Sequence, residues 1–422
     1  MRHLYSLLWI LLLPALFARL WWRGRQAPAY RLRWRERLAC YGGQQPLPAC
    51  VWVHAVSVGE TLAAAPMIEQ LLQRYPDTRL LVTTMTPTGS ERVRALFGER
   101  VTHVYAPWEL PGAVRRFYNA FNPQLVLLLE TELWPNLINE AARRDVPVML
   151  LNGRLSARSA RGYARLPKLV KPMLAALDCL AVQTPADGER FVALGARPEQ
   201  VQVTGSVKFD VQLSAAQQQL AEAWRAQQAR PVWIAASTHA GEDEKILAAH
   251  RQVCAQHPQA LLILVPRHPE RFNEVAKLVQ QQGFTLARRS ETTQPDKRAQ
   301  VYLGDTMGEL MQLYGFAEVA WVGGSFVETG GHNLLEPALW GLPVLSGPSL
   351  FNFALISELL NEAGGLKIVA SAQQLADEVN ALLASPARQK EMGSAAQQVV
   401  AAHGGALQRV LSLLSARWPS TS

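Results

Sequence analysis

The sequence predicts an α/β protein of two tandem, doubly wound parallel domains behind a short apolar N-terminal helix. Three observations carry this. From Val51 onward, short runs rich in Val and Leu alternate with longer helical stretches. Several of those runs are apolar throughout, as expected of strands covered by helices on both faces. The 422 residues suffice for two domains of ordinary size, and 49% apolar with 18% charged residues describes a packed chain, not a disordered one.

The first element is Tyr5 to Trp22, YSLLWILLLPALFARLWW. It has about the minimum length for a bilayer span, with Pro14 and Arg19 weakening it. The arginine- and tryptophan-rich stretch that follows offers no small-residue cleavage site, so a signal peptide is not expected. The first 40 residues hold eight arginines (2, 19, 23, 25, 31, 33, 35, 37) and one acid, Glu36, a net +7. The other 382 residues carry +1 of the chain's total of +8. Charge confined to the flank of an apolar segment argues against a nucleic-acid binder. It suits a membrane anchor, either spanning or lying in the interface, with the arginines drawn to anionic head groups.

Seven strands are expected next, at 51–56, 80–84, 101–105, 125–129, 146–151, 179–183 and 201–204. A Gln- and Ala-rich connection, 212–230, reads as a surface helix. A second series follows at 232–236, 261–265, 284–287, 300–303, 319–322 and 343–345. The expected organisation is 1–40 anchor and basic flank, 41–211 first domain, 212–230 linker helix and 231–422 second domain.

Ligands of such sheets collect at the carboxyl ends of the strands. Polar residues recur there: HAVSVGE after the first strand, ETELWPN after the fourth, NGRLS after the fifth. In the second half come STHAGE, PRHP and DTMGE. The stretch Val319 to Gly347 is the most informative. A buried strand runs into Gly323-Gly324, and a second pair, Gly330-Gly331, precedes His332-Asn333 and a helix over 334–340. Such a turn offers backbone N–H groups and a helix N-terminus to a phosphate, and Glu336, one turn in, suits a ribose diol. A nucleotide-sugar site is the expectation.

Glu60 has two readings. Ser57-x-x-Glu60 is a capping box, in which Glu60 satisfies an orphan N–H. A carboxylate at a sheet end is also a candidate general base. Glu130 and Glu132 stand beyond the fourth strand, with Arg154 in the next loop as an ion-pair candidate. Arg267, between Pro266 and Pro269, can meet a phosphate or carboxylate bidentately. Lys208 is a further candidate for neutralising that charge, and Trp134 reads as a packing residue. Four cysteines without paired spacing and nine histidines without a His-x-x-x-His motif suggest neither disulfides nor a metal. No Gly-x-Gly-x-x-Gly follows the first strand, so a dehydrogenase is not expected.

Together HAVSVGE, LLETELWPN, LNGRLS, TGSVKFD, STHAGED, PRHPERF, GDTMGEL and GGSFVETGGHNLLEPA, spread over residues 52 to about 346, resemble the 3-deoxy-D-manno-octulosonate (Kdo) transferases of lipopolysaccharide synthesis. The N-terminal anchor matches as well. The resemblance implies the GT-B fold, two Rossmann-like domains facing a cleft, with acceptor on the first and donor on the second. It implies CMP-Kdo as donor, an acylated lipid A precursor (lipid IVA) as acceptor, and inverting transfer without metal or cofactor, at the cytoplasmic face of the inner membrane. It places the base at Glu60, with Ser57, Gly59, Glu130, Glu132 and Arg154 on the acceptor side or orienting. Donor contacts fall to Lys208, Arg267, His268, Met307, Gly308, Glu309, Asn333 and Glu336. Two other classes remain open: a nucleotide-sugar epimerase on the same scaffold, and a membrane-tethered nucleotide-binding module without catalysis.

Overall fold

Two seven-stranded, wholly parallel sheets carry the described part of the chain, residues 1–25, 27–41 and 49–419 of a computed structural model. The first contains β1 (Cys50–His54), β2 (Arg79–Thr84), β3 (Thr102–Tyr105), β4 (Pro123–Leu129), β5 (Val148–Gly153), β6 (Cys179–Val182) and β7 (Val201–Val203). Its order is β3-β2-β1-β4-β5-β6-β7, with Val53 opposite Val82 on one side and Leu127 on the other. The second contains β8 (Val232–Thr238), β9 (Leu261–Pro266), β10 (Leu286–Arg288), β11 (Val301–Leu303), β12 (Val319–Val322), β13 (Val344–Ser346) and β14 (Leu366–Ile368), in the order β10-β11-β9-β8-β12-β13-β14. Strand order reverses between β1 and β4 in one sheet and between β8 and β12 in the other. A crevice is expected outside the carboxyl ends at each reversal.

All thirteen expected strands are present, with ends shifted by a few residues. β14 was not anticipated; only Leu366 of its three residues is buried, while Lys367 and Ile368 are exposed.

The chain divides into Met1–Lys208 with Gly404–Ser422, and Phe209–His403. This differs from the expected division at two places. The helix Ala406–Ser415, expected with the second domain, belongs to the first unit: Val410, Leu411 and Leu414 join the cluster of Val51, Met67 and Leu71. Trp418 stacks on Tyr75 with centroids 4.1 Å apart, and Arg409 Nε donates to the Thr204 carbonyl at 2.7 Å. Amphipathic periodicity shows that a helix covers a sheet but not which one. The expected linker helix, observed as Ala215–Gln227, is part of the second unit, where Trp224 stacks on Phe316. The residues 42–48, at the start of the expected first domain, lie outside those described.

Burial is nearly complete along the central strands, and each sheet contains fully buried tryptophan. An indole N–H taken from water needs an acceptor. Trp52 finds Thr83 Oγ1 at 2.8 Å and Trp233 finds His250 Nδ1 at 3.1 Å, whereas the buried Trp321 indole has no hydrogen-bond partner among the described residues.

The N-terminal helix, Arg2–Arg23, is long and apolar enough to cross a membrane, yet one face of it packs on the first unit. Trp9, Leu13, Leu16, Phe17 and Leu20 lie against that unit's core. Ser6 is buried and exchanges hydrogen bonds with the Asn136 side chain, and Asn136 is bonded in turn to Glu109. The opposite face leaves Leu4, Leu7, Leu8, Leu11 and Trp22 exposed. The arginine-rich flank is also divided. Arg33 pairs with Glu36, Glu36 accepts the Tyr105 N–H, and Arg33 donates to the His103 carbonyl, so this segment covers the open edge of β3. Arg37 is buried, with its guanidinium over the Tyr105 ring.

Gly323, immediately after β12, tests how tightly the second reversal point is built. A Cβ there would stand 2.6 Å from the Ser237 carbonyl oxygen and 3.0 Å from that of Ala236. Both obstacles are backbone, so Gly323→Ala should destabilise the second unit by about 2–3 kcal/mol. Thermal or urea unfolding would read this as a lower midpoint.

Candidate active site

The first reversal point gathers three carboxylates. β1 ends at His54, and the chain turns through Ala55 and Val56 to Ser57, the N-cap of the helix Val58–Arg74. Ser57 Oγ accepts the Glu60 N–H at 3.3 Å and donates to Glu60 Oε1 at 2.9 Å. Glu60 Oε2 accepts the Val56 N–H at 2.8 Å. The capping interaction is therefore real, and it fixes the carboxylate at the head of the crevice. Glu60 is 8% exposed. Burial, with the Glu132 and Glu130 charges nearby, pushes its pKa up from 4.5 to about 7, against the hydrogen bonds from Val56 and Ser57. Gly59, beside it in the first turn, leaves open space on the helix end: a Cβ there would meet only Ser57 Oγ, at 3.8 Å.

Glu130 and Glu132 come from the end of β4, and each already has a partner. Glu130 adopts a left-handed backbone, φ 54°, and pairs with Lys208 Nζ at 3.1 Å. Glu132 accepts the Trp134 indole N–H at 2.7 Å, and burial raises its pKa. Trp134 thus packs, edge-on to the buried His54 ring, and also orients a carboxylate. Lys208, expected to meet the donor, instead belongs to the first unit and neutralises Glu130. The loop that carries it is pinned by Asn152, whose Oδ1 accepts the Val207 N–H at 3.2 Å. Arg154 is exposed and, among the described residues, pairs with neither Glu130 nor Glu132.

The second reversal point is organised by a residue to which the sequence reading gave no role. Glu242, fully buried, accepts four backbone N–H groups: His239 at 2.9 Å, Gly324 at 2.8 Å, Ser325 at 3.0 Å and Phe326 at 2.8 Å. The first glycine pair was expected to leave its N–H groups to a phosphate. Those after Gly323 are taken by this carboxylate, and the second pair turns the chain with φ 88° at Gly330 and 78° at Gly331. Those left-handed φ values favour glycine at both positions, and a Cβ at Gly331 would also press on Leu350 Cδ2 at 2.5 Å and the Ser349 carbonyl oxygen at 3.3 Å.

Beyond that turn His332 stacks on His239, with Nε2 to Nε2 at 2.7 Å, and His239 meets the His268 ring edge-on at 5.3 Å. Burial holds His332 neutral, its pKa pushed down to about 4. Asn333 lies ahead of the helix Leu335–Leu339, not within it; its Nδ2 still donates to Glu336 Oε1 at 3.1 Å. Burial raises the Glu336 pKa, opposed by Asn333 and by the nearby Arg267 charge. Arg267 and His268 follow β9 and are exposed. Met307 and Gly308 are exposed in the turn after β11. Glu309 is held by Arg289 through Nη2 at 2.8 Å and Nε at 3.1 Å, so its carboxylate braces this turn.

The structure brings Glu60 near Glu130 and Glu132, Arg267 and Asn333 near Glu336, and His268 against His239. Sequence reasoning missed Glu242, His239 and Asn152. All three stood inside quoted motifs, at strand ends, and Asn152 carries φ 53°. The signal for Glu242 was available: an acid six residues beyond the apolar run 232–236, with a glycine-rich turn ending a later strand.

Two Rossmann-like units, each with its polar groups at the strand-order reversal, define a GT-B-type glycosyltransferase scaffold. A UDP-GlcNAc 2-epimerase from Neisseria meningitidis shares the fold at TM-score 0.58 and 16% identity, over 87% of this chain and 100% of that one. The profile of the 3-Deoxy-D-manno-octulosonic-acid transferase (kdotransferase) family matches residues 32–211. A 3-deoxy-D-manno-octulosonic acid transferase of Haemophilus influenzae is 43% identical, and one of Bordetella pertussis 40%, each over 98% of both chains. The chain belongs to the Kdo transferase family and is a glycosyltransferase.

Two outcomes follow from the buried glutamates. Glu242→Ala strands four N–H donors and should cost about 3–5 kcal/mol, lowering the unfolding midpoint of the second unit. For Glu60 the folded pKa lies above the unfolded 4.5. Its contribution to stability is therefore full below pH 4.5 and is lost as pH rises through about 7. Glu60→Gln should match the wild type in melting at pH 4 and exceed it by about 1–2 kcal/mol at pH 8.

Proposed function

We propose that the protein transfers Kdo from CMP-Kdo to the acylated glucosamine disaccharide precursor of lipid A (lipid IVA), with inversion and without a metal, using Glu60 as general base. The observation that carries this is the division of labour among the three carboxylates of the first unit. Glu130 is neutralised by Lys208 and Glu132 is engaged by Trp134, whereas Glu60 is held by two donors, one to each oxygen. Each Glu60 oxygen keeps a lone pair for a further proton. A base with a pKa near 7 combines a useful ionised fraction with real basicity at neutral pH.

In this reading an acceptor hydroxyl lies against Glu60. Its proton passes to the carboxylate as the oxygen attacks the anomeric carbon of Kdo, and CMP departs from the opposite face. Glu130, Lys208 and Glu132 orient the sugar, with Arg154, Ser57 and Gly59 at the rim. On the donor unit Arg267 offers a bidentate guanidinium to the CMP phosphate or the Kdo carboxylate. His268, Asn333 and Glu336 line the same strand ends, and Glu336 suits the ribose diol. Met307 and Gly308 contribute backbone, held by Glu309. No group of three His, Cys, Asp or Glu suited to a metal occurs among the described residues, and the leaving phosphate relies on Arg267 and oriented N–H groups.

The acylated acceptor accounts for the N-terminal helix. One face of it is anchored on the first unit and the other is apolar and exposed, which supports attachment in the interfacial plane of the inner membrane, on its cytoplasmic side.

The decisive assay follows labelled Kdo passing from CMP-Kdo to lipid IVA in EDTA. Wild-type kcat/KM should rise tenfold per pH unit below about 7 and level above it. Glu60→Gln should lower kcat by about 10²–10⁴-fold while CMP-Kdo binding stays within about threefold. Undiminished turnover by the variant would leave Glu60 with its capping role alone and move the base to Glu132.

A further inference from the structure

The basic N-terminal flank does more than supply diffuse charge. A cavity of about 490 Å³ lies on the first unit, lined by Arg33, Trp34, Arg35, Glu36, Arg94 and His103, among others. It stands at the β3 edge of the sheet, two strands away from β1 and outside the β1–β4 reversal point. We infer that this cavity is a phosphate-binding pocket for an anionic lipid head group, a proposal that rests on the N-terminal helix lying on a membrane.

Three features of the pocket support this. The first is uncompensated charge. Glu36 is the sole acid among the lining residues, and its carboxylate is fully used: it accepts Arg33 Nε at 2.6 Å, Arg33 Nη2 at 2.8 Å and the Tyr105 N–H at 2.9 Å. Arg35 and Arg94 are exposed, and neither guanidinium has an ion pair or hydrogen bond among the described residues. Burial keeps His103 neutral, so the pocket carries two unpaired positive charges.

The second feature is preorganisation. Arg33 has a left-handed backbone, φ 58°, and its side chain is fixed by Glu36, Ser90 and the His103 carbonyl. The Arg33 part of the wall is therefore fixed before any ligand arrives, and the unpaired Arg35 and Arg94 side chains stand beside it. A guanidinium presents two parallel donors that match a phosphate better than a single-point anion, and two of them can share one phosphate.

Position is the third. Trp34 forms part of the pocket and packs on Phe17 of the N-terminal helix with centroids 5.3 Å apart; Phe17 in turn packs on Trp108. The pocket is thus one side chain away from a helix whose outer face, Leu4, Leu8, Leu11 and Trp22, is exposed. A helix in the interface sinks about 5–10 Å toward the acyl boundary, which leaves head-group phosphates at the level of its flanks.

Co-flotation of the full-length protein with three vesicle types tests the assignment: phosphatidylcholine alone, the same lipid with phosphatidic acid, and the same lipid with oleate at matched surface potential. The wild type should bind the phosphatidic acid vesicles about tenfold more tightly than the oleate vesicles. The double variant Arg35→Gln/Arg94→Gln should lose that preference, melt like the wild type and still bind phosphatidylcholine. Removing equal charge outside the pocket, in Arg19→Gln/Arg25→Gln, should weaken both anionic vesicles alike and keep the preference. Equal losses in the two double variants, or a wild type that does not discriminate phosphate from carboxylate, would overturn the pocket. Saturable binding of inorganic phosphate without vesicles, lost in the pocket variant, would assign the site to a soluble phosphate and overturn the lipid assignment. A wild type that floats with no vesicle defeats the membrane reading itself, which retained phosphatidylcholine binding tells apart from failure of the pocket.

Discussion

A glutamate buried where strand order reverses is the constraint on which both halves of the molecule depend. Glu60 follows β1, the first strand of its sheet, and Glu242 follows β8, the first of the other. The residue type and topological place are the same, and the outcome is opposite. Glu242 receives four backbone N–H groups, which use the acceptor capacity of both oxygens and tie the β8 loop to the turn after β12. Glu60 receives one N–H and one hydroxyl, each on a separate oxygen. A saturated carboxylate is a fastener, while an undersaturated one near other acids has its pKa raised and keeps room for a proton.

The strained positions fall around these same points. Glu130, Asn152 and Ser237 are non-glycine residues with φ of 54°, 53° and 59°, each at or next to the end of a central strand. Left-handed backbone costs such residues on the order of 1–2 kcal/mol each and persists where the surroundings impose it. The surroundings here are identifiable. Glu130 is held by Lys208, Asn152 by the Val207 N–H, and Ser237 sits at a register shift between β8 and β9. The Glu130–Lys208 pair is half-exposed, so it serves to place a carboxylate more than to stabilise the fold.

Much of this was legible in the sequence because parallel sheets write themselves as apolar runs. Thirteen strands, β1 through β13, and the polar clusters after them could be read. What could not be read depended on contacts between segments far apart in the chain. Four N–H groups converging on Glu242 come from two loops more than 80 positions apart, and no periodicity records that. The last helix, Ala406–Ser415, shows an apolar face suited to either sheet, so its return to the first unit was invisible locally. The Lys208 pairing was hidden for the same reason: read as a candidate for neutralising the donor's charge, it meets Glu130, 78 residues earlier.

The N-terminal 40 residues show how a single charge total conceals several physical roles. Arg37 is buried over an aromatic ring and Arg33 is spent on Glu36 and the β3 edge, so these two act as part of the folded unit. Arg23, Arg25 and Arg31 lie over Tyr30 or Trp21, keeping their charge at the surface while their stems cover aromatic faces. Arg35 and Arg94, the latter from outside the flank, are left without an opposite charge among the described residues. An apolar helix docked by Ser6 on Asn136 cannot swing away from the unit without exposing that polar contact and the Trp9–Phe17 packing together. The N-terminal helix and the Glu60 end of the first sheet are therefore parts of one folded unit, so the exposed apolar face of that helix keeps a fixed place relative to Glu60.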